Sequence, residues 1–319
     1  MAMLDVQDLT THYLTIRGPV RAVDDVSFQV GKGEMMGLAG ESGCGKTTVA
    51  LSLLKILPQG GKILGGKILF KGDDLVKLDE SQMRKIRWKG ISIVFQGAMN
   101  ALNPVYKVGD QIVEAIILHE PEVKKEDAKK RIGKLLETVG LEPSRADNYP
   151  HEFSGGMRQR ALIAMALACN PDLLIADEPG TALDVIVQAQ VLRLMTELKK
   201  KLNLAMIMIS HDLSIISETC DKIAIMYAGK IVEQGDITTI YKEPLHPYTQ
   251  GLIGAFPSIT AEKRRMTSIP GFPPDLLNPP TGCRFHPRCP YVMDICKKEE
   301  PELVKAGKRY VACYLVKKS

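Results

Sequence analysis

The chain has 319 residues, of which 45% are hydrophobic and 25% charged, and its formal net charge is +5. This composition is typical of a globular protein, and it excludes a disordered chain and a small secreted disulfide scaffold. No apolar run approaches the roughly 18 to 20 residues of a membrane-spanning helix, and the start lacks the basic and apolar regions of a secretory signal.

The positive charge is concentrated at the C-terminus. Residues 283–319 contain nine Lys and Arg against four Asp and Glu, whereas the other residues carry 33 of each sign. Four of the seven cysteines are in the same tail. We therefore expect a charge-balanced body followed by a separate basic, cysteine-rich segment.

The hydrophobic pattern predicts alternating strands and helices. Residues 4–35 alternate as strands, and residues 35–39 form an apolar strand that ends in a glycine-rich loop and a helix from about 47 to 57. The order predicts a layered α/β core with a largely parallel sheet. The region after 231 holds 11 of the 19 prolines and is expected to be a loop-rich subdomain. Further strands are predicted over 62–70, 91–95, 173–176 and 204–210, and helices over 108–140, 161–169 and 184–202.

The loop at residues 40–47 has the pattern G-x-x-x-x-G-K-S/T of a phosphate-binding loop, or P-loop. Backbone N–H groups of such a loop surround a triphosphate when no Cβ blocks the approach. Lys46 supplies a charge to the β and γ phosphates, and the Thr47 hydroxyl binds Mg²⁺. A chance match is expected about once in a hundred chains of this length, so nucleotide binding is predicted. The expected contacts are Gly40, Ser42, Gly43, Cys44, Gly45, Lys46, Thr47 and Thr48.

The strand at 173–176 ends in two acidic residues, Asp177 and Glu178. Asp177 can hold Mg²⁺ through water, and Glu178 can polarise an attacking water. Many buried strands also end in acids simply because they reach the surface. The P-loop about 130 residues upstream favours the functional interpretation.

A third motif makes a family resemblance specific. Residues 153–160, FSGGMRQR, precede an apolar helix and resemble the signature sequence of ATP-binding-cassette (ABC) ATPases. The motif order agrees over about residues 4 to 235, with Gln96 after a strand, the signature, the two acids, residues 182–184 and residues 210–212. Finer features resemble the ATPase subunits of dipeptide and oligopeptide importers. They are residues 102–104, Met157, residues 184–190 and 226–230, and the cysteine-containing tail after residues 246–249.

The resemblance implies a P-loop NTPase (RecA-like) α/β core with an N-terminal antiparallel β subdomain, an inserted α-helical subdomain and a small loop-rich C-terminal Cys subdomain. Residues 1–95 would form the β subdomain and the P-loop part of the core, and residues 96–170 the helical subdomain with the signature. Residues 171–235 would complete the core. Residues 236–319 would form a C-terminal extension with a four-cysteine metal site.

The resemblance also implies roles for single residues. Glu178 would be the general base, and His211 would contact the γ-phosphate and help to hold the water. Gln96 would contact Mg²⁺ and the water and respond to the membrane partner. Tyr13 matches the position where the family stacks an aromatic ring on adenine, although a tyrosine on a half-buried strand is common. The catalytic set is Glu178, His211, Gln96 and Lys46, and the expected Mg²⁺ ligands are Thr47, Gln96 and Asp177.

Ser154, Gly155 and Gly156 would lie at a helix N-terminus, which is a natural anion site. In the family this site faces the ATP of a second subunit, so the two ATP sites are completed in a head-to-tail dimer. The alternative is a simple helix cap. Asp184 matches the loop that crosses the dimer interface, and it can also be an N-cap. Gly180 departs from the family's usual Thr, which removes a hydroxyl and loosens this loop without changing the expected chemistry.

The tail cysteines, Cys283, Cys289, Cys296 and Cys313, are separated by five, six and sixteen residues. Disulfides are disfavoured in a chain of this cytosolic type, and zinc sites usually have a pair of ligands two to four residues apart. A proline follows Cys289, as often happens beside iron–sulfur ligands, and several ATPases of the resembled subgroup carry a four-cysteine 4Fe–4S tail. A 4Fe–4S cluster is predicted, with Zn²⁺ or unligated thiols as the alternatives.

The basic residues of the tail suit an anionic metal site, because four thiolates leave such a site with a charge of about −2. Arg284 and Arg288 would offset that charge. The alternative is a basic face toward acidic lipids or a partner. Cys44, Cys169 and Cys220 are expected to be structural, although alkylation of Cys44 would block nucleotide binding.

The resemblance implies an ATP-hydrolysing subunit that powers import of di- or oligopeptides through partner transmembrane subunits by ATP-driven dimer closure. Its expected partners are a second, non-identical ATPase, two permease subunits and, indirectly, a solute-binding protein, with no nucleic acid. The expected location is peripheral, at the cytoplasmic face of the membrane. The alternatives are a nickel, oligosaccharide or antibiotic importer, a soluble ABC ATPase acting on ribosomes or DNA, and a cluster protein whose ATPase activity is secondary.

Overall fold

The structure, a computed structural model, describes residues 2–97, 101–255 and 269–316. The chain divides into two compact units. The P-loop unit comprises Ala2–Val30, Met35–Val76 and Ile209–Ser319, and the signature unit comprises Gly31–Glu34 and Lys77–Met208.

The P-loop unit contains an antiparallel sheet built from β1 (Leu4–Thr15), β2 (Gly18–Val30), β4 (Gly61–Phe70) and β5 (Asp73–Asp74). The strand order is β2–β1–β4–β5. Leu4 of β1 lies opposite Val30 of β2 and Phe70 of β4. These three side chains are buried, so one face of this sheet forms part of the core.

A second sheet in the P-loop unit surrounds β3 (Met35–Ala39), whose five residues are all buried. This burial is what a central parallel strand requires. β3 pairs in parallel with β9 (Lys222–Tyr227), and β9 pairs antiparallel with β10 (Lys230–Asp236). The edge is extended by β12 (Arg309–Val311) and β11 (Val304–Ala306), so part of the cysteine-rich tail is a strand of this sheet.

The helices of the P-loop unit are short, and the first of them starts directly after the P-loop. They are α1 (Lys46–Leu53), α7 (Leu213–Thr219), α8 (Ile237–Lys242), α9 (Pro247–Gly254) and α10 (Asp294–Lys298).

The signature unit has a parallel pair of strands, β6 (Ile91–Val94) and β7 (Leu173–Asp177), with β8 (Ala205–Ser210) next to β7. Residues 205–208 of β8 belong to this unit. β7 and β8 are buried along their whole length. Its helices are α2 (Glu80–Ile86), α3 (Val108–His119), α4 (Lys125–Thr138), α5 (Gly155–Ala166) and α6 (Val185–Leu202).

Several boundaries differ from the sequence-based prediction. The helix expected over 108–140 is two helices, α3 and α4, because Pro121 cannot continue α3. α5 begins at Gly155 with Ser154 as its cap, which agrees with the helix N-terminus expected at residues 154–156 and not with the start at 161 that the apolar pattern predicted. α1 ends at Leu53 instead of about 57. The region after 231 is richer in regular structure than its prolines suggested, because it contains β10 to β12 and α8 to α10.

Within the described ranges, no helix is both long and apolar enough to cross a membrane. α6 has 18 residues, but its last turn contains Lys199, Lys200 and Lys201.

Candidate functional site

The P-loop is a turn whose glycines lie against neighbouring backbone. A Cβ at Gly40 would collide with the Met226 carbonyl oxygen, and one at Gly45 would collide with the Ala22 carbonyl oxygen. Both glycines have positive φ, 148° and 106°, which disfavours other residues. A Cβ at Gly43 would meet no described atom within 4 Å, so this side of the loop is open. The loop therefore leaves room for a phosphate group on its open side.

Lys46 folds back over the P-loop. Its Nζ donates to the carbonyl oxygens of Gly40 at 2.7 Å and Glu41 at 3.0 Å, and lies 3.7 Å from Cys44 Sγ. The lysine is buried, and the Thr47 side of the first turn of α1 is exposed. The first turn of α1, which is described in full, carries no acidic residue. The positive end of the helix is therefore available to an anion.

Tyr13 lies on β1 beside the same helix. Its hydroxyl is 3.2 Å from Thr48 Oγ1 in α1, and the residue is half-buried. This contact connects the aromatic ring to the helix that follows the P-loop.

In the signature unit the structure brings Gln96 and Glu178 together. Gln96 Nε2 donates to Glu178 Oε2 at 2.6 Å, and the Thr181 hydroxyl donates to the same oxygen at 2.9 Å. Glu178 has φ 47°, an uncommon backbone conformation for a residue with a side chain. Such outliers are frequent at functional sites. The Glu178 carboxylate is thus held at one oxygen by two donors.

Two further predicted site residues differ in exposure. Asp177, the last residue of β7, is buried, whereas His211, which follows β8 in the P-loop unit, is exposed. The next residue, Asp212, caps α7 by accepting from the Ser214 amide at 2.8 Å. His211 therefore lies in the turn between a buried strand and a capped helix.

The signature motif forms the N-terminus of α5. Ser154 is the exposed N-cap and accepts from the Met157 amide at 3.3 Å. A Cβ at Gly156 would lie 2.5 Å from Val187 Cγ1 in the first turn of α6. The Asp184 side chain caps α6 by accepting from the Val187 amide at 2.9 Å, which agrees with the N-cap prediction. The two helix starts are therefore packed against each other inside the signature unit.

Gly180 has a specific neighbour. A Cβ there would lie 2.6 Å from Gln188 Cγ and 3.1 Å from its Cδ and Nε2. The side chain of Gln188 thus fills the space that a larger residue at 180 would need.

The four tail cysteines line one small cavity of about 10 Å³ in the P-loop unit. This volume is roughly that of one water. All four are free thiols, and burial raises the pKa of Cys283 to about 11 and also raises the pKa of Cys289 and Cys313. As the side chains lie, no group of three or more His, Cys, Asp and Glu residues in the described ranges is arranged to hold a metal ion. The spatial convergence is present, but the sulfurs do not form a ligand shell.

The cavity is also lined by His246 and Phe285. His246 is buried, and burial lowers its pKa to about 3. Its Nδ1 accepts from the Tyr248 amide at 3.0 Å, so the neutral ring carries its proton on Nε2. A neutral imidazole with one N–H donor is therefore part of the wall.

The two arginines expected to offset a metal site have other partners. Arg284 donates to the Ala228 carbonyl and to Asp24, and Arg288 makes a two-pronged ion pair with Glu41 at 2.6 and 3.0 Å. Both are buried. Each guanidinium is therefore paired with a carboxylate of the P-loop unit, and compensation of a metal-site charge by these two arginines stays a prediction.

The buried cysteines outside the tail agree with a structural role. Cys44, Cys169 and Cys220 are all buried. Burial raises the pKa of Cys169 to about 12 and also raises that of Cys44.

Several residues at these sites were not predicted from the sequence. In the loop after β7, Thr181 bonds to Glu178 and Gln188 packs against Gly180. In the P-loop, Glu41 bonds to Tyr248 and Arg288. Glu41 is a variable position of the P-loop motif, Gln188 and Tyr248 lie in stretches that carry the family resemblance, and Arg288 was expected beside a metal site, but these contacts were not predicted. The contacts themselves become visible only when the chain is folded.

Comparisons with known proteins agree with the motif order. The ABC transporter family model matches residues 23–181, and the model of the oligopeptide/dipeptide transporter C-terminal region matches residues 232–296. The chain is 47% identical to the oligopeptide transport ATP-binding protein OppD of Bacillus subtilis, over 98% of this chain and 89% of that protein. It is 44% identical to the dipeptide transport ATP-binding protein DppD of Haemophilus influenzae, over 98% and 96%.

Solved structures with the same fold include a dimeric ABC transporter cassette, MJ0796. It is 25% identical with a TM-score of 0.65, covering 74% of this chain and 99% of that chain. A second is cbiO1 from Clostridium perfringens, described as part of an ABC transporter complex. It is 27% identical with a TM-score of 0.66, covering 76% and 91%.

Proposed function

The chain belongs to the family of ATP-binding subunits of dipeptide and oligopeptide ABC importers, and we propose how its residues bind and hydrolyse ATP. It is an ABC ATPase that couples ATP hydrolysis to peptide import. The observation that carries the mechanism is the 2.6 Å hydrogen bond from Gln96 to Glu178 at the end of β7.

The triphosphate binds in the P-loop. The open side at Gly43, the positive end of α1 and the buried ammonium of Lys46 form an anion site. Phosphate oxygens replace the carbonyl oxygens of Gly40 and Glu41 as acceptors for Lys46, while Tyr13 stacks on the adenine. Ser42, Cys44, Gly45 and Thr48 complete this half of the site.

The donor set also fits Mg²⁺, which prefers oxygen ligands. Thr47, Gln96 and Asp177 would hold the ion, directly or through water. When bound, the ion neutralises charge on the β and γ phosphates.

In the hydrolytic step, the oxygen of a water attacks the γ-phosphorus while the bond to the β–γ bridging oxygen breaks. Glu178 orients the water and accepts its proton, and the products are ADP and phosphate. Gln96 and Thr181 hold the carboxylate in place. His211 contacts the γ-phosphate, and Lys46 stabilises the developing charge.

The direct test is Glu178→Gln. We expect turnover to fall by about 10²- to 10⁴-fold, as for removal of a general base, with MgATP affinity retained. The matched control is Glu126→Gln on the exposed first turn of α4, which should behave like the wild type. Unchanged turnover in Glu178→Gln would exclude this role.

The ATP site is completed by a second subunit. The exposed N-terminus of α5 with Ser154, Gly155 and Gly156 offers an anion site for the partner's ATP. Val185 and Ile186, at the start of α6, are 81% and 71% exposed, which suits a surface covered by a partner. We expect that partner to be homologous but non-identical, with closure of the pair transmitted to two permease subunits. The chain would then act at the cytoplasmic face of the membrane.

We also propose that the tail cysteines hold a metal centre, a 4Fe–4S cluster rather than Zn²⁺. Support comes from four thiols that line one cavity and from the proline that follows Cys289. The present cavity has about the volume of one water, so the side chains must open to admit a cluster. Iron, sulfide and zinc analysis of protein purified without oxygen tests this. One zinc and no iron would contradict the cluster.

The division at 1–95, 96–170, 171–235 and 236–319 remains part of the proposal. The last segment would be the carrier of the metal centre and the other three the ATPase.

A further inference from the structure

The cysteine-rich tail reaches the P-loop through Arg288, the residue before Cys289. Its guanidinium binds both carboxylate oxygens of Glu41 at 2.6 and 3.0 Å. It also donates to the carbonyls of Pro270 at 2.7 Å and Gly271 at 3.3 Å. With its donors committed on several sides, the guanidinium is fixed in orientation, which a two-pronged contact to a carboxylate requires.

Glu41 is the second residue of the P-loop, and its carboxylate, its carbonyl oxygen and its N–H are each held by a hydrogen bond. Arg288 holds its carboxylate, Lys46 donates to its carbonyl oxygen, and its N–H donates to the Tyr248 hydroxyl at 2.9 Å. The Glu41 amide is therefore directed to Tyr248. Two residues outside the motif, Tyr248 and Arg288, therefore fix the position of the P-loop at Glu41.

Tyr248 connects the P-loop to the cysteine cavity by packing. It is fully buried, and its ring centroid lies 4.6 Å from that of Tyr227 and 5.4 Å from that of Phe285. Phe285 lines the cavity together with Cys283 and Cys289. A change in cavity size would therefore displace Phe285 and, through it, the Tyr248 ring that carries the hydroxyl.

A second connection runs through Arg284, the residue after Cys283. Arg284 donates to the carbonyl oxygen of Ala228. Gly229, which follows Ala228 in the chain, donates its N–H to the Cys44 carbonyl oxygen at 2.9 Å. Cys44 is in the middle of the P-loop. Two arginines beside two different cavity cysteines thus support two separate points of the loop.

We propose that Arg288 is a positioning residue for nucleotide binding, which holds the P-loop through Glu41 and couples the cysteine cavity to the ATP site. This inference rests on the proposal that the P-loop binds ATP. It assigns the tail a role inside the ATPase, in addition to any metal that it holds. If opening of the cysteine cavity weakens nucleotide binding by some factor, then nucleotide binding must lower the equilibrium constant for that opening by the same factor.

The first experiment compares Arg288→Gln with Arg309→Gln in the full chain. Arg309 is an equally buried arginine of the same tail, but it bonds to Glu243 and Glu233 instead of the P-loop. We expect MgATP to bind about tenfold more weakly to Arg288→Gln, measured by calorimetry well below the unfolding midpoint. Arg309→Gln should lower the unfolding midpoint with an affinity within about twofold of the wild type.

Two further variants separate positioning from general stabilisation of the fold. Tyr248→Phe removes only one hydroxyl and leaves the Glu41 amide without this acceptor, so it should also weaken MgATP binding. The double variant Glu41→Gln/Arg288→Gln should bind MgATP no more weakly than either single variant, because both substitutions remove the same contact. An Arg288→Gln protein that melts earlier but binds MgATP as the wild type does would overturn the proposal. If Arg288→Gln does not fold, unchanged MgATP affinity in Tyr248→Phe would overturn it instead.

The reciprocal readout is the cavity itself. In protein freed of any bound metal, saturating MgATP should change the alkylation rate of Cys283 and Cys289 several-fold in the wild type, measured by peptide mass spectrometry, but not in Arg288→Gln. Equal rates with and without MgATP in the wild type would count against coupling. Lys46→Ala distinguishes the two hypotheses: if it binds MgATP normally, the P-loop assignment fails, whatever Arg288 does.

Discussion

Cys44 illustrates how the P-loop protects a reactive group. Its thiol is buried between Lys46 and the Gly40 backbone, and burial raises its pKa even though the nearby lysine opposes the shift. A raised pKa leaves less thiolate at neutral pH, and the thiolate is the species that is alkylated. The thiol should thus be a poor target in the folded protein.

We predict that iodoacetamide modifies Cys44 at least about tenfold more slowly in the folded chain than in the urea-unfolded chain at about pH 8. The rate in the folded chain should rise as the pH increases above about 9, and MgATP should slow it further. Peptide mass spectrometry over a pH series measures this, with Cys44→Ala as the control for assignment. A rate equal to that of the unfolded chain would contradict the burial argument.

Gly180 gives a second residue-scale prediction. Gly180→Thr should lower both stability and turnover, because the new Cβ would overlap Gln188 Cγ. Gln188→Ala in the same chain should restore most of the loss by removing that atom, whereas Gln188→Ala alone should have little effect. Urea unfolding and ATPase assays test the three variants. A single Gly180→Thr variant that matches the wild type would mean that Gln188 moves at little cost.

At this scale, motif residues can be predicted from the sequence because their chemistry fixes both residue type and spacing. Gln96 and Glu178 are 82 positions apart, yet each has its own strand end as a marker. Thr181 and Gln188 carry no such marker. Their importance arises from a contact between side chains, which a single sequence does not encode as a pattern.

At the scale of elements, helix starts are the best-determined features. Asp184→Ala removes the carboxylate that accepts from the Val187 amide, and we predict a loss of about 1 kcal/mol in the free energy of unfolding. Asp184→Asn keeps an acceptor at the same place and should lose less than half as much. Urea denaturation followed by circular dichroism compares them. Equal losses in both variants would mean that charge, not capping, is what Asp184 contributes.

The same scale explains where element prediction was wrong. The continuous periodicity of 108–140 hid a break, although Pro121 and the capping residue Glu120 mark it in retrospect. In the region after 231, eleven prolines indicated loops, but Arg309–Val311 still forms a strand because β10 offers it a free edge. A short strand of this kind is determined by its partner rather than by its own propensity.

At the scale of the whole molecule, the sequence separates body from tail more sharply than the structure does. Composition marks the tail as a distinct basic segment, yet Arg288 is paired with Glu41, 247 positions away. Pairing over such a distance depends on the folded arrangement of β9, α9 and the tail. Part of the tail's positive charge is therefore paired with carboxylates inside the P-loop unit, which a composition count cannot reveal.

The assembly gives the last prediction. Ile186 is 71% exposed at the start of α6, near the packed N-terminus of α5, so a charge there should block association without disturbing the monomer. We expect Ile186→Asp to bind MgATP as the wild type does but to lose ATP-dependent association with the partner ATPase and most of the turnover. Sedimentation in the Glu178→Gln background with MgATP measures association.

The matched control for this prediction is Ile16→Asp, which places the same charge at a fully exposed isoleucine in the hairpin between β1 and β2. It should leave both association and turnover intact, because the proposed head-to-tail arrangement pairs the signature of one subunit with the P-loop of the other, and this hairpin contains neither motif. If both variants associate normally, the surface at Ile186 is not the interface. If the chain alone forms a stable MgATP-dependent homodimer, the partner need not be a different protein.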